Sequence, residues 1–434
     1  MNLNGVSKIK EDIRYFFKGV EIRTFCICSV IMFFLIALCL DTPEDIIKGM
    51  YKIIISRDVL ITDYIALAGY GAAFLNASIM MLFSMVLIAV SRLPYTGLTL
   101  AAVFISAGFG LWGKNPVNML PIVAGTLLYA KVHKLKITKY TFTAIFAGCL
   151  SPFVTEFAYI LPFSTPVNII CALLLGVGMG FAIAPIATHT TTVHMGYSLF
   201  NVGFAGGALG FLVYSFIKSL GVTTKTEFIW QEGVPPALAV GLFLFFVFTF
   251  WFGFILEGGT ISGLFRIMKH PGRTVTDFVM LEGRGNTLMN MAVMGIFCEG
   301  FIICIGGDLS GPVLGCILTV FGFSAFGAHL KNYLPVLAGV VLACVFMTNN
   351  ISDPAMQIAA LLVVGVAPIA GEFGIFQGIM AGIIHVAIVN CTSAFYGGLN
   401  LYNNGFSTGW VALFMVPFLE SFRTNFKRKR KVSK

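Results

Sequence analysis

Charge is scarce in this sequence. Its 434 residues include 28 Lys and Arg and 19 Asp and Glu, 11% of the chain, where a soluble protein carries about 25%. With 58% hydrophobic residues and a mean hydropathy of +0.91, too little polar surface is available to face water, and a soluble fold is excluded. Disorder, coiled coil, collagen and a disulfide scaffold are excluded as well. The alternating ten-residue strands of an outer-membrane barrel are absent. No nucleotide-binding loop, no Gly-x-Ser-x-Gly and no His-Glu-x-x-His occurs, so the common signatures of a primary pump, a serine hydrolase and a zinc protease are missing. The ten cysteines lie in or beside apolar segments without metal-ligand spacing, and read as reduced packing residues. His189 and His194, five apart, fit one helical face poorly. No metal and no cofactor is expected. No cleavable signal is read, because acidic Asp41, Glu44 and Asp45 follow the first apolar stretch.

Long uncharged runs are what the chain has. Tyr64 to Val90, Pro162 to Ile217, Pro235 to Leu256 and Phe373 to Leu419 contain no Asp, Glu, Lys or Arg. These predict an all-α polytopic membrane protein. The net charge of +9 sits at the ends and in loops, which fits a membrane surface and not a nucleic-acid partner.

The sequence is a duplication. Gly97–Ala130 aligns with Gly311–Cys344 at an offset of 214, with 11 of 34 positions identical. The same offset relates Gly71 to Gly285, Asn76 to Asn290, and Thr62-Asp63-Tyr64 to Thr276-Asp277-Phe278. Pro152 and Glu156 recur as Pro368 and Glu372 at 216, and Gly196 to Gly207 recurs as Gly398 to Gly409 at 202. Equivalent loops differ in charge. Loop 131–140 holds four lysines, whereas 345–353 has no basic residue and carries Asp353. The linker 41–63 has three basic and five acidic residues, and 257–285 has four and three. By the positive-inside rule this is an inverted repeat with an odd number of crossings per copy and both termini cytoplasmic. Copy one gives five crossings, at about 22–40, 64–90, 141–162, 165–188 and 197–219. Segment 95–130, broken by Gly and Pro, adds either a re-entrant hairpin or two full spans. The reading is ten crossings plus two hairpins, with fourteen crossings as the alternative. Its parts are a cytoplasmic segment 1–19, repeat one at 20–220, an external linker 221–235, repeat two at 236–424 and a basic cytoplasmic tail 425–434.

Inverted repeats with interrupted helices point to a substrate site near the midplane. Asn118 and Asn332 each precede a helix-breaking proline by three residues, and an amide suits either a neutral polar solute or a freed backbone group. Asn201 and Asn403 stand in repeated Gly-x-x-x-aromatic-Asn-x-Gly-Phe stretches. Glu156 and Glu372 are each the lone charged side chain of a span, and each follows a proline by four residues. Intramembrane carboxylates mark ion or substrate paths, or satisfy a carbonyl freed by the proline. Glu299 and Asp308 occur only in copy two and are candidates for ion coupling.

Pro94-Tyr95-Thr96-Gly97-Leu98 is similar to the Asn-Pro-x-Ser-Gly-Leu stretch of urea transporters, with Asp308-Leu309-Ser310-Gly311 in its place in copy two. Gly196-Tyr197-Ser198-Leu199-Phe200-Asn201 resembles their Gly-Leu-Tyr-Gly-Phe-Asn-Gly stretch. That resemblance implies two inverted five-span halves, each with a re-entrant pore helix, in a trimeric channel. The chain as a whole more closely resembles an uncharacterised bacterial membrane family, which implies a plasma-membrane location.

The expected function is a transporter or channel for a small polar solute, with or without a coupling ion, and not an enzyme. An intramembrane enzyme and a non-transporting sensor or scaffold are the alternatives. Gly306-Gly307-Asp308 is similar to the Gly-x-Gly-Asp of intramembrane aspartyl proteases, but their Tyr-Asp partner is missing. Trp112, Phe104 and the Phe243–Phe254 cluster suggest aromatic surface for a homo-oligomer, dimer or trimer.

Overall fold

The computed structural model describes residues 19–432 apart from 223, 225, 226, 400 and 402, and side chains as far as Arg423 apart from that of 393. The first eighteen residues and the side chains of the basic tail lie outside the described residues. Every regular element among those described is a helix. Repeat one supplies α1 (Val20–Leu40), α2 (Pro43–Ile55), α3 (Tyr70–Val90), α4 (Gly97–Phe109), α5 (Pro116–Val132), α6 (Thr141–Ile160), α7 (Thr165–Val193) and α8 (Asn201–Ser219). Repeat two supplies α9 (Pro236–Leu256), α10 (Arg284–Cys304), α11 (Gly311–Phe323), α12 (Leu330–Phe346), α13 (Pro354–Phe373), α14 (Ile375–Tyr396) and α15 (Asn403–Val432).

Ten of these helices are long and apolar enough to cross a membrane: α1, α3, α6, α7 and α8, and their equivalents α9, α10, α13, α14 and α15. The protein is membrane-embedded. Four shorter apolar helices, α4, α5, α11 and α12, fall where the sequence places the interrupted segments. α6 and α13 each contain a 3₁₀ turn, Gly148–Leu150 and Val363–Val366, just before Pro152 and Pro368. A proline amide cannot donate to the preceding turn, so the break falls where the sequence marks it. Pro121 and Pro335 behave otherwise. Both sit inside unbroken helices, so the expected break at these prolines is not found: only one carbonyl loses its donor.

Equivalent helices pack alike. α5 lies on α7 and α12 on α14, while α1 lies on α3 and α9 on α10. Between the halves, α4 and α11 run antiparallel. Gly108 meets Gly315 and Gly97 meets Ala325, so closely that an added Cβ would stand 2.3 Å from the Gly315 carbonyl oxygen or 2.2 Å from that of Ala325. The two helices are repeat-equivalent, so an approximate two-fold axis passes between them near Ile105 and Thr319. Only glycine allows this backbone approach. Around the contact, Phe104 and Phe321 stack edge-on at 4.7 Å. Phe104 and Trp112 are 0% and 1% exposed, so neither offers surface to a partner, contrary to the oligomer argument above.

Gly108→Ala should lower the melting temperature in detergent by several degrees or abolish folded yield, because both backbones must separate. Gly178→Ala, on a helix face with open space around the new Cβ, should leave it unchanged. Equal melting temperatures for the two variants would show that the α4–α11 contact is not tight.

Candidate functional site

The turn between α4 and α5 must satisfy its own backbone groups away from water. Asn115 caps α5, its side-chain oxygen accepting from the Val117 and Asn118 amides at 3.0 Å, while Asn118 Oδ1 accepts from the Asn115 amide at 2.9 Å. Gly113 turns the chain at a φ of 68°, a conformation that glycine adopts without steric cost. Asn76 of α3 donates to the Gly110 and Lys114 carbonyls at 2.7 and 2.9 Å. Asn118 Nδ2 then reaches Asp58 Oδ2 at 3.0 Å, Thr155 Oγ1 at 3.1 Å and the Gly113 carbonyl at 3.3 Å.

Asp58, in the linker between α2 and α3, is 1% exposed. Its carboxylate accepts from the Tyr64 hydroxyl at 2.8 Å and from Thr155 at 3.0 Å. Burial pushes this carboxyl up to about 7, against the pull of the Tyr64, Thr155 and Asn118 hydrogen bonds. Beside it Arg57 grips Glu156 through both carboxylate oxygens, with Nε to Oε2 at 2.8 Å. Glu156 is fully buried and is therefore held by an arginine from the linker, not by a carbonyl freed by Pro152.

Repeat two builds the same turn with different groups. Asn332 Oδ1 accepts from the His329 amide at 3.0 Å, and its Nδ2 donates to the Gly327 and Pro271 carbonyls at 2.9 and 3.4 Å. Asn290 donates to Ser324 and Ala328 as Asn76 does in repeat one. Pro271, Gly272 and Gly371 stand where repeat one has Arg57, Asp58 and Thr155. Glu372 pairs instead with Arg423 of α15 at 2.5 Å. Asn201 ties α7 to α8: its oxygen accepts from Thr190 at 2.8 Å and faces His194 Nε2 at 2.9 Å, while its nitrogen donates to the Ala187 carbonyl. Asn403 Oδ1 and Glu299 Oε2 are buried without a hydrogen-bond partner among the described residues. Asp308 takes hydrogen bonds from Trp230, the Gly233 amide and Gln357.

The eight residues singled out from sequence do not converge on one point. Asn118 and Glu156 meet at the Arg57–Asp58 linker. Asn332 and Glu372 line a crevice of about 670 Å³ in repeat two. Asn201 lines a separate cavity of about 260 Å³ between the halves. That cavity is walled by Phe200 and Phe323, whose rings meet at 4.9 Å, and by the hydroxyl-bearing Thr143, Thr191 and Thr274, with Lys139 at its rim. At its inner end Ile105 and Phe200 also border a void of about 10 Å³, closed by Phe109, Thr319, Leu362 and Gly405. Ile105 and Thr319 are repeat-equivalent, so the constriction lies on the two-fold axis. Beyond it, the segment that joins the repeats covers the other face. Ile229 donates to the Ile61 carbonyl at 2.9 Å and accepts from the Asp63 amide at 3.1 Å, and Leu309 donates to Gly233 at 2.9 Å.

Sequence reasoning missed Asp58, Arg57 and Thr155. Their signal was in the alignment of the halves: a carboxylate in one copy faces a glycine in the other.

A duplicated helical core with ten apolar spans defines a polytopic membrane protein. The family described as "Protein of unknown function (DUF1576)" matches residues 42–219 and again 256–421, and the chain belongs to it. No curated protein and no solved structure matches the chain.

A raised carboxyl makes the folded state the stronger proton binder. Asp58 therefore adds stability that is full below about pH 4 and is lost as the pH rises to about 7. Asp58→Asn should remove this slope, so the variant's melting temperature in detergent should gain on that of wild type between pH 4.5 and 7.5. A constant difference over that range would show that Asp58 does not titrate there.

Proposed function

We propose that the protein is a transporter or channel, not an enzyme, that moves a small polar solute along the interface of two repeats inverted across the bilayer. α4–α5 and α11–α12 act as re-entrant hairpins, and both termini are cytoplasmic. One observation carries the reading: the cavity of about 260 Å³ between the halves ends at a constriction on the two-fold axis. Its threonine hydroxyls and lysine can replace the hydrogen bonds that a solute leaves behind in water, and among the described residues no carboxylate lines it. Inversion is supported by the antiparallel packing of α4 on α11 and by five spans per half. The hairpin reading rests on length: α4 and α11 have 13 residues each, about 20 Å, against a hydrocarbon core of about 30 Å.

Glu299 is our candidate for ion coupling, because its Oε2 has no partner among the described residues. Asp308 is occupied in holding the inter-repeat segment. The resemblance to urea transporters makes urea the first solute to try. Exposed Phe243, Phe248 and Trp251 on α9 support association into a dimer or trimer. One observation favours the enzyme alternative: Ser407 Oγ lies 3.0 Å from His385 Nδ1, and His385 Nε2 3.0 Å from Asn404 Oδ1. Ser407 also donates to the His385 carbonyl, and all three are buried away from the cavity, so we read this as a clamp between α14 and α15.

Flux into proteoliposomes of urea, glycerol, formate and acetate tests the function. At least one should enter faster than into empty vesicles. Thr143→Cys, modified by a bulky thiol reagent, should lose flux at least fivefold, with treated wild type unchanged. No flux of any of them, or flux unaffected by filling the cavity, overturns the proposal. Topology is tested separately: Lys134→Cys and Thr348→Cys should react from opposite sides of the membrane, and reaction from one side overturns the inversion.

A further inference from the structure

The two halves differ most where the linker meets the second helix of the hairpin. In repeat one that place is filled by the protein. The Tyr159 hydroxyl reaches the Ile55 carbonyl, Arg57 grips Glu156 and Asp58 packs against Asn118. In repeat two the fillers are gone. Ile375 stands for Tyr159, Pro271 for Arg57, Gly272 for Asp58 and Gly371 for Thr155. At Gly272 and Gly371 the backbone closes in on Gly327 and Pro271, and beside that contact, along Gly371 and Ile375, a crevice of about 670 Å³ opens.

Two apolar positions have meanwhile become basic. Ile55 corresponds to Lys269 and Val117 to Lys331, and both lysines line the crevice with exposed side chains. The remaining wall is apolar: Leu334, Pro335 and Ala338 of α12 on one side, Ile375 and Ile379 of α14 on the other. Two further ionisable groups line it, and each is already paired. Glu372 is bound to Arg423 at 2.5 Å. His270 is bound to Glu282 at 2.8 Å. His329 spends its ring nitrogens on the His270 carbonyl and the Asn332 amide. Among the described residues, the lysines are the charges of the site without a partner.

The linker that carries Lys269 also has the surface of a segment lying at headgroup level. Phe265, Val275 and Met280 are 57, 84 and 69% exposed, interleaved with Arg266, Lys269 and Arg273. Apolar side chains standing out among arginines and lysines suit the boundary between lipid tails and headgroups.

We propose that this crevice binds one anionic phospholipid from the leaflet facing linker 257–285, with its phosphate between Lys269 and Lys331 and an acyl chain along the α12–α14 seam. A free phosphate would use the lysines but leave the apolar wall in water. A zwitterionic lipid would use the wall but bring its own cation to the lysines. The inference does not rest on the transport reading.

The test uses the full chain in mild detergent, with phosphatidylglycerol and phosphatidylcholine as probes and native mass spectrometry as the readout. Phosphatidylglycerol should be retained and phosphatidylcholine not. Lys269→Ala and Lys331→Ala should each weaken retention roughly fivefold, and together on the order of thirtyfold. Lys131→Ala with Lys134→Ala, in another basic loop, should have no effect. Ala338→Trp, which fills the apolar wall and keeps both lysines, should also release the lipid. Equal retention of the two lipids, or full retention by the double lysine variant, overturns the proposal. Displacement by millimolar inorganic phosphate, or retention by Ala338→Trp, overturns the lipid in favour of a free anion.

Discussion

Backbone polar groups that end away from water must find partners inside the protein. This requirement organises the molecule, because α4 and α11 end, and α5 and α12 begin, at turns buried within its interior. Each half solves the problem with groups lent by the other. Asp277 of repeat two accepts from the Gly97 and Leu98 amides at the start of α4, and its equivalent, Asp63, lies against the Gly311 amide at the start of α11. The Leu60 amide donates to the Gly398 carbonyl, and Thr274 to Gly196, both at 2.9 Å. Leu199 donates to Gly365 and Leu401 to Cys149. Apart from the Leu98 bond, whose equivalent residue, Pro312, has no N–H, each of these bonds has a repeat-equivalent partner bond. A half on its own would leave helix starts and turn carbonyls unpaired, so the duplication is a single folding unit and not two tethered domains.

The symmetry breaks where the chain has to join its copies. The connection 221–235 has no repeat equivalent, and residues 229–233 lie on one side of the axis, paired to the first linker and to the start of α11. The opposite side keeps an open cavity bordered by Asn201. One sealed and one open end thus follow from connectivity as well as from side chains. The second break lies at the linkers. Asp58 and Arg57 close repeat one with their side chains, while in repeat two the backbone closes in at Gly272 and the crevice lies beside it, between Lys269, α12 and α14. Drift after duplication has produced a buried ion pair on one side and a basic crevice on the other.

Much of this was legible in the sequence. The four charge-free runs located six of the ten long helices, because hydropathy over a span is a local property, while α6, α10 and α13 carry Glu156, Glu299 and Glu372 within them. The constant offset located the short helix pairs, because glycine, asparagine and proline recur in register. What was not legible depended on distant contacts. Asn118 finds Asp58 sixty residues away and Glu156 finds Arg57 ninety-nine away, and no spacing rule joins them. Pro121 and Pro335 were expected to break helices and do not, since a neighbour-packed helix tolerates one lost bond. Trp112 looked like surface because aromaticity was counted without its depth.

The distribution of satisfied groups narrows where a solute could act. Asn118, Asn332 and Asn201 hold turns and helix joints, and their acceptor oxygens are engaged. Of the threonines of the cavity, Thr143 and Thr274 both line it and are only partly buried, with the Thr274 hydroxyl donating to the Ser198 carbonyl at 3.4 Å. On the proposed transport reading, a cycle that exchanged the conformations of the two halves would have to break the linker-to-loop bonds on one side of the axis and keep their equivalents on the other. At the sealed end it would also have to release the strap made by Ile229 and Gly233, which the open end lacks. On that reading the two end states would differ in energy even though the repeats match.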